Sequence, residues 1–298
     1  MLIDGKKIAN TIQSQMKSTI EQFSSRPPCL AVILVGNHIA SELYIAKKTE
    51  ACQSIGICSI KLLFPDTITE TELLHEINLL NQDLSVDGIL VQLPLPSSIN
   101  PRRVMHEISP EKDVDGFHPY NIGKLLAGET DGFVPCTPLG IQKLLISSNI
   151  NVAGKHAVII GRSNIVGKPL AALLMQAIPG GNATVTIAHS QTQNLNHLTQ
   201  SADIVIAAIG SAHFLTADMI KEGAVVIDVG TNKLTDPSKK LGYRIVGDVD
   251  FYQVAPKCSY ITPVPGGVGP MTIAMLLQNT LISYQKRMNL PLFSSHAV

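Results

Sequence analysis

Residues 31–48 read AVILVGNHIASELYIAKK. Extended back to Cys29, the opening becomes CLAVILV (29–35), seven apolar residues with no polar interruption. A strand wet on one face would alternate, so this unbroken run predicts a parallel strand covered on both faces. Beyond Gly36 the pattern changes. A helix is predicted from about Ala40, closing before Gly56, a residue suited to a left-handed helix end. A strand feeding a helix is the first half of a βαβ unit, which sets the fold class as α/β. Tyr44 and Lys48, four residues apart, share one face of that helix near the carboxyl end of the strand, where open α/β sheets hold ligands.

The alternation continues outward. SIKLLF (59–64) and GILVQL (88–93) are predicted strands, the latter stopped by Pro94 and Pro96. Between them Leu73, Leu74, Ile77, Leu80 and Leu84 fit one face of a helix over 69–84. NPRRVMHEIS is a short helix with Pro101 in its first turn. After the polar stretch Ser147–Gly154 a second series begins: strands HAVIIG (156–161), ATVTIA (183–188), ADIVIAAIG (202–210) and AVVIDVG (224–230). VGKPLAALLMQA, NLNHLTQS and ADMIKEG are the intervening helices, and MTIAMLLQNTLISYQKR (271–287) is a long final one. The spacing predicts parallel sheets with right-handed crossovers in two α/β domains joined near 140–150, flanking a cleft.

Size and composition agree with two globular domains. The chain has 298 residues, 45% hydrophobic and 15% charged, too apolar for extended disorder. Lysine plus arginine and aspartate plus glutamate number 23 each, which gives no electrostatic pull toward nucleic acid or an anionic membrane. Five cysteines (Cys29, Cys52, Cys58, Cys136, Cys258) lack CxxC spacing and read as reduced thiols. MLIDGKKIAN lacks a basic-then-apolar leader pattern, and no apolar run reaches the roughly 18 residues of a spanning helix. A cytoplasmic protein is expected.

Several segments carry chemistry. In HAVIIGRSNIVGKP, Gly161 ends a strand and Gly167 opens a helix, a turn that lets main chain and helix-terminal N–H groups approach a phosphate. It departs from GxGxxG, because Ser163 stands at the second glycine and Gly167 comes one residue late, so a plain strand-to-helix turn is the alternative. The next strand ends in His189, Ser190 and Gln191 with no carboxylate for ribose hydroxyls. Arg162 and Ser190 instead offer donors suited to a 2′-phosphate, which favours NADP over NAD.

Lys48 is either a cationic anchor or, if burial lowers its pKa, a proton carrier; Lys47 beside it points about 100° away. Tyr44 either stacks on a flat ligand or covers an apolar edge. Gln92 interrupts ILVQL and is either a structural hydrogen-bonder or a site residue. Asp113 and Asp115 in KDVDGFHP are turn-formers, unless one grips paired N–H donors of a heterocycle. Asp228 reads as a strand-end acid. PVPGGVGP (263–270) brings main chain close to a ligand or acts as a hinge. His118, His189 and His213 lack metal-ligand spacing, so no metal is expected.

Taken together, ASELYIAKK, DGILVQLPLP, KDVDGFHP, PCTPLG, GRSNIVGKP and TPVPGGVGPMTIAMLLQNT closely resemble the FolD family, the bifunctional methylenetetrahydrofolate dehydrogenase/cyclohydrolases. The resemblance runs almost end to end. It implies NADP-dependent oxidation of 5,10-methylenetetrahydrofolate, followed by hydrolysis of the methenyl product to 10-formyltetrahydrofolate. By position it implies Tyr44 as the ring-stacking residue, Lys48 as the catalytic lysine, Gln92 as its partner and Asp115 as the acid gripping the pterin. It places substrate contacts at Val91, Gln92, Leu93, Pro265, Gly266 and Gly267. Cofactor contacts are implied at Gly161, Arg162, Ser163, Ile165, Ser190 and Thr231. The folate domain is expected over 1–140 plus 271–298, the Rossmann-like NADP domain over 141–270, and the assembly is expected to be a homodimer. Thr231 departs from the family's usual isoleucine, and QAIPGGN lengthens the turn before ATVTIA. The rival readings are an NADP oxidoreductase without hydrolase activity and a non-catalytic nucleotide-binding module.

Overall fold

The computed structural model describes residues 1–36, 39–239 and 242–294, without the side chains of 39–43. The chain divides into two compact units: Asn10–Cys136 with the chain from Ile273, and Thr137–Thr272 with Met1–Ala9.

The first unit takes in α1 (Gly5–Ile20) from Asn10 onward, β1 (Cys29–Val35), α2 (Ile39–Ile55), β2 (Cys58–Phe64), α3 (Glu70–Gln82), β3 (Gly88–Val91), α4 (Pro101–Glu107) and α5 (Pro119–Ala127). Its sheet is parallel in the order β2-β1-β3. The central β1 is buried at all seven positions, which its unbroken apolar run requires. Ala31, Ile33 and Val35 share a core with Leu73, Ile77 and Leu80 of α3 and with Ile89 and Val91 of β3. A capping box opens α3: Thr69 Oγ1 accepts from Glu72 N, and Glu72 accepts from Thr69 N. This helix stops at Gln82, two residues short of its sequence-based end, because Asp83 turns extended; Leu84 is therefore exposed and not on the core face.

The second unit contains α6 (Cys136–Ser147) from Thr137 onward, β4 (His156–Ile160), α7 (Gly167–Leu174), β5 (Thr184–Ala188), α8 (Leu195–Ser201), β6 (Ile204–Ala207), β7 (Val225–Asp228), β8 (Asn232–Thr235), β9 (Tyr243–Val246), α9 (Phe251–Val254) and β10 (Tyr260–Ile261). The last helix, α10 (Val268–Arg287), starts in this unit and passes to the first at Ile273. The five-stranded parallel sheet has the order β10-β7-β6-β4-β5. After β4 the chain adds β5 on one side and then β6 on the other, so the order reverses at β4. The carboxyl ends of β4 and β6 thus form a topological switch point, the usual place for a nucleotide in this architecture.

A further expectation, the helix at ADMIKEG, needs correction here. ADMIKEG is no helix; only Ala217–Met219 make a 3₁₀ turn, which ends where Ile220 turns extended. The chain after β7 forms an antiparallel β8–β9 hairpin, which its polar alternation does not announce.

Candidate active site

Within the first unit, the turn of helix carrying Tyr44 and Lys48 follows from the burial of β1. Ile45 and Cys52 pack inward, and Lys48, four residues on from Tyr44, is drawn under the surface at 5% exposure. Lys47 points to solvent. Lys48 Nζ donates to Gln92 Oε1 at 3.0 Å and lies 4.5 Å from the centre of the Tyr44 ring. Gln92 continues the β3 ladder, its N–H donating to Ile33 O at 2.9 Å, while Nε2 donates to Leu93 O at 2.9 Å. The side-chain amide is thereby fixed with its oxygen toward the amine.

The paired acids separate by role. Asp113 bridges to Ile89 of β3 and accepts from Phe117 N at 3.1 Å, His118 N at 2.8 Å and Asn121 Nδ2 at 2.8 Å. It is the turn-former, and burial still pushes its carboxyl up to about 7. Asp115 is left to face Lys48. Burial raises the Asp115 pKa, and the nearby ammonium and then the Cys136 thiol oppose that rise. For Lys48 burial is the largest influence and lowers its pKa, with Asp115 acting the other way. A neutral amide can accept from lysine in either protonation state, so Gln92 does not lock the ammonium form. A buried amine with a lowered pKa thus stands beside an aromatic ring and a carboxyl group, an arrangement that suits acid–base chemistry.

Cys136 and Asn279 brace the loop that carries Asp115, and the motifs do not single them out. Cys136 Sγ donates to Val114 O at 3.3 Å, and Asn279 Nδ2 of α10 donates to Val114 O at 2.9 Å and Val134 O at 3.1 Å. Together they clamp the two strands of loop that flank Asp115. Gly116 allows this approach: its φ is +76°, and a Cβ would lie 2.6 Å from Pro135 N. The sequence signal is weak: Asn279 is a buried polar residue following an apolar run in α10, and Cys136 gives none.

The remaining residues lie in the second unit. Gly161 (φ +129°) sits at the end of β4, where a Cβ would approach Ala208 O to 2.2 Å; a Cβ on Gly167 would reach Gly161 O at 2.1 Å. Both glycines are therefore required for strand, turn and helix to close on one another. Ser163 Oγ accepts from Val166 N at 3.1 Å, fixing the turn before α7. Arg162, Ser163 and Ile165 lie on this turn, all three exposed; Ser190 is exposed beyond β5 and Thr231 beyond β7. Cationic and hydroxyl donors at the ends of β4 and β5, with His189 and Ser190 where an acid would stand, fit the 2′-phosphate of NADP. Pro265, Gly266 and Gly267 also belong to this unit. Lys6 N donates to Gly266 O at 3.0 Å, and Gly5 packs so closely that a Cβ would lie 1.9 Å from Gly267 O.

A dinucleotide-type sheet in one unit and a buried lysine site in the other define an oxidoreductase with a second, acid–base capability. Comparison with known proteins narrows the class. The chain belongs to the tetrahydrofolate dehydrogenase/cyclohydrolase family: the catalytic-domain description matches residues 3–115 and the NAD(P)-binding-domain description residues 135–288. It is 63% identical over 292 residues to the "Bifunctional protein FolD" of Protochlamydia amoebophila, covering 98% of this chain and all of that protein. A FolD crystal structure from Campylobacter jejuni superposes with a TM-score of 0.90 at 49% identity, covering 96% of this chain and 99% of that one. The Trypanosoma brucei enzyme, solved with NADP and an inhibitor, gives 0.91 at 38% identity, covering 97% and 98%.

Proposed function

We infer that this chain oxidises 5,10-methylenetetrahydrofolate with NADP to the methenyl cation and hydrolyses that product to 10-formyltetrahydrofolate. NADP, when bound, supplies the hydride acceptor. Arg162, Ser163 and Ser190 would hold its 2′-phosphate, and Gly161, Ile165 and Thr231 would line its path over the switch point. On the folate side, Tyr44 presents a flat ring for the pterin and Asp115 a carboxylate for its paired N–H groups. Val91, Gln92 and Leu93 supply the strand-end edge, and Pro265, Gly266 and Gly267 main chain. In hydrolysis, neutral Lys48 takes a proton from the water that attacks the methenyl carbon, and Gln92 keeps the amine in place.

The observation that carries this reading is the 3.0 Å contact from a buried Lys48 to a neutral amide beside the Tyr44 ring. Incubation with methylenetetrahydrofolate and NADP should yield the 10-formyl product. Methenyl that accumulates and persists would leave a dehydrogenase alone. Lys48→Met should nearly abolish hydrolysis with a smaller or separable loss of oxidation. Equal loss of both, together with lost folate binding, would make Lys48 a positioning residue.

The protein is further proposed to act as a cytoplasmic homodimer. Five free thiols suit a reducing compartment. The edge strand β2, bearing exposed Leu63, offers unpaired main chain and apolar surface for a second copy. Among the described residues no helix is long and apolar enough to cross a membrane.

A further inference from the structure

The loop leaving β6 directs three consecutive N–H groups at one side chain. Ile209 N and Gly210 N donate to Asp248 Oδ2 at 2.7 and 2.9 Å, and Ser211 N donates to Oδ1 at 2.9 Å. Asn232, the first residue of β8, donates from Nδ2 to the same Oδ1 at 2.9 Å. Asp248 is fully buried. A second buried acid secures it: Asp228 accepts from Asp248 N at 2.9 Å, Val249 N at 3.0 Å and Gly230 N at 3.0 Å. The neighbouring glycines exist to admit these carboxylates. A Cβ on Gly230 would lie 2.3 Å from Asp248 Oδ1, and one on Gly247 would lie 1.7 Å from Asp228 Oδ2.

Burying a carboxylate among N–H donors alone is costly, and it persists where it orders main chain that nothing else would hold. The chain it orders is the rim of the switch point. Residues 209–211 follow directly on Ala208, against whose carbonyl the Gly161 turn closes, and Asn232 follows Thr231. We propose that Asp248 is a positioning residue for the dinucleotide, fixing the 209–211 and 231–232 main chain on both sides of the cofactor path without touching the cofactor itself. The proposal rests on the NADP reading above and adds to it a residue that reading does not use.

Asp248→Asn keeps the shape and removes one acceptor. Loss of charge-assisted bonds of this kind predicts an NADP dissociation constant, by titration calorimetry, raised about tenfold or more. KM for NADP should rise in parallel, with kcat at saturating NADP within about threefold. Hydrogen exchange at amides 209–211 should accelerate. Hydrolysis of added methenyltetrahydrofolate, which needs no dinucleotide, reports folding of the rest of the chain and should persist. Unchanged NADP affinity, or parallel loss of hydrolysis and thermal stability, would overturn the proposal. Should Asp248→Asn fail to fold, Asn232→Ala removes one of the four bonds, and a rise of about two- to threefold in the NADP dissociation constant is expected, with an unchanged value counting against. A wild-type chain that binds no NADP would instead sink the functional reading, a separate outcome.

Discussion

At the scale of single residues the proposed chemistry turns on the balance around Lys48. Burial lowers its pKa from the ordinary 10.5 and Asp115 partly restores it. With the neutral amine proposed as the base, hydrolysis should rise with pH along a limb set by the Lys48 pKa and lying below the usual lysine value. Gln92→Glu places a carboxylate 3.0 Å from the amine and stabilises the ammonium. The limb should then move to higher pH by about 1–3 units, as an opposite charge at this range commonly does. A pH–rate profile of methenyl hydrolysis in both forms checks it, and a shift to lower pH would refute the base assignment. The grouping of Tyr44, Lys48, Gln92 and Asp115 that the structure brings together is legible in the sequence, because each sits in a motif whose order along the chain is distinctive. Cys136 and Asn279 are not, because their role depends on 114, 134 and 136 meeting in space, which no local pattern encodes.

At the scale of elements, backbone geometry governs. The β4–α7 turn closes only because Gly161 and Gly167 lack side chains, with Cβ positions 2.2 Å from Ala208 O and 2.1 Å from Gly161 O. Gly161→Ala should weaken NADP binding severely and cost about 1–3 kcal/mol of stability in strain, measured by calorimetry and denaturant unfolding. Thr69→Ala loses the side-chain half of the α3 capping box and should cost about 1 kcal/mol with both activities intact at moderate temperature. Strands with unbroken apolar runs are readable because two-sided burial leaves no alternative composition. The β8–β9 hairpin is not, since its half-exposed alternation is short and polar. The end of α3 is equally hidden, because Leu84 continues the apolar spacing while Asp83 stops the helix.

At the scale of the whole molecule, the first unit is assembled from segments far apart in sequence, and its N- and C-terminal contributions meet at one acid. Asp87, fully buried between α3 and β3, accepts from Arg26 at 2.6 and 2.8 Å, from Arg287 at 3.0 Å and from Cys29 N at 2.9 Å. Ser283 Oγ donates to its carbonyl at 2.6 Å, and Tyr284 Oη donates to Arg26 O at 2.7 Å. The last helix is thus tied to the start of β3, the strand that leads to Gln92. Asp87→Ala would remove the carboxylate from two guanidinium groups, which keep only main-chain carbonyls, and leave the Cys29 N–H without its acceptor. Breaking a buried pair costs about 3–5 kcal/mol, and partial exposure of Arg26 argues for the lower end. For a chain of this size roughly 2–4 °C of midpoint is lost per kcal/mol, so thermal unfolding should fall by about 10 °C. Because Asp87 touches neither site, KM for folate and NADP at low temperature should stay within about twofold of the parent. A stable variant with altered KM would show that Asp87 acts through the site and not through the cohesion of the unit.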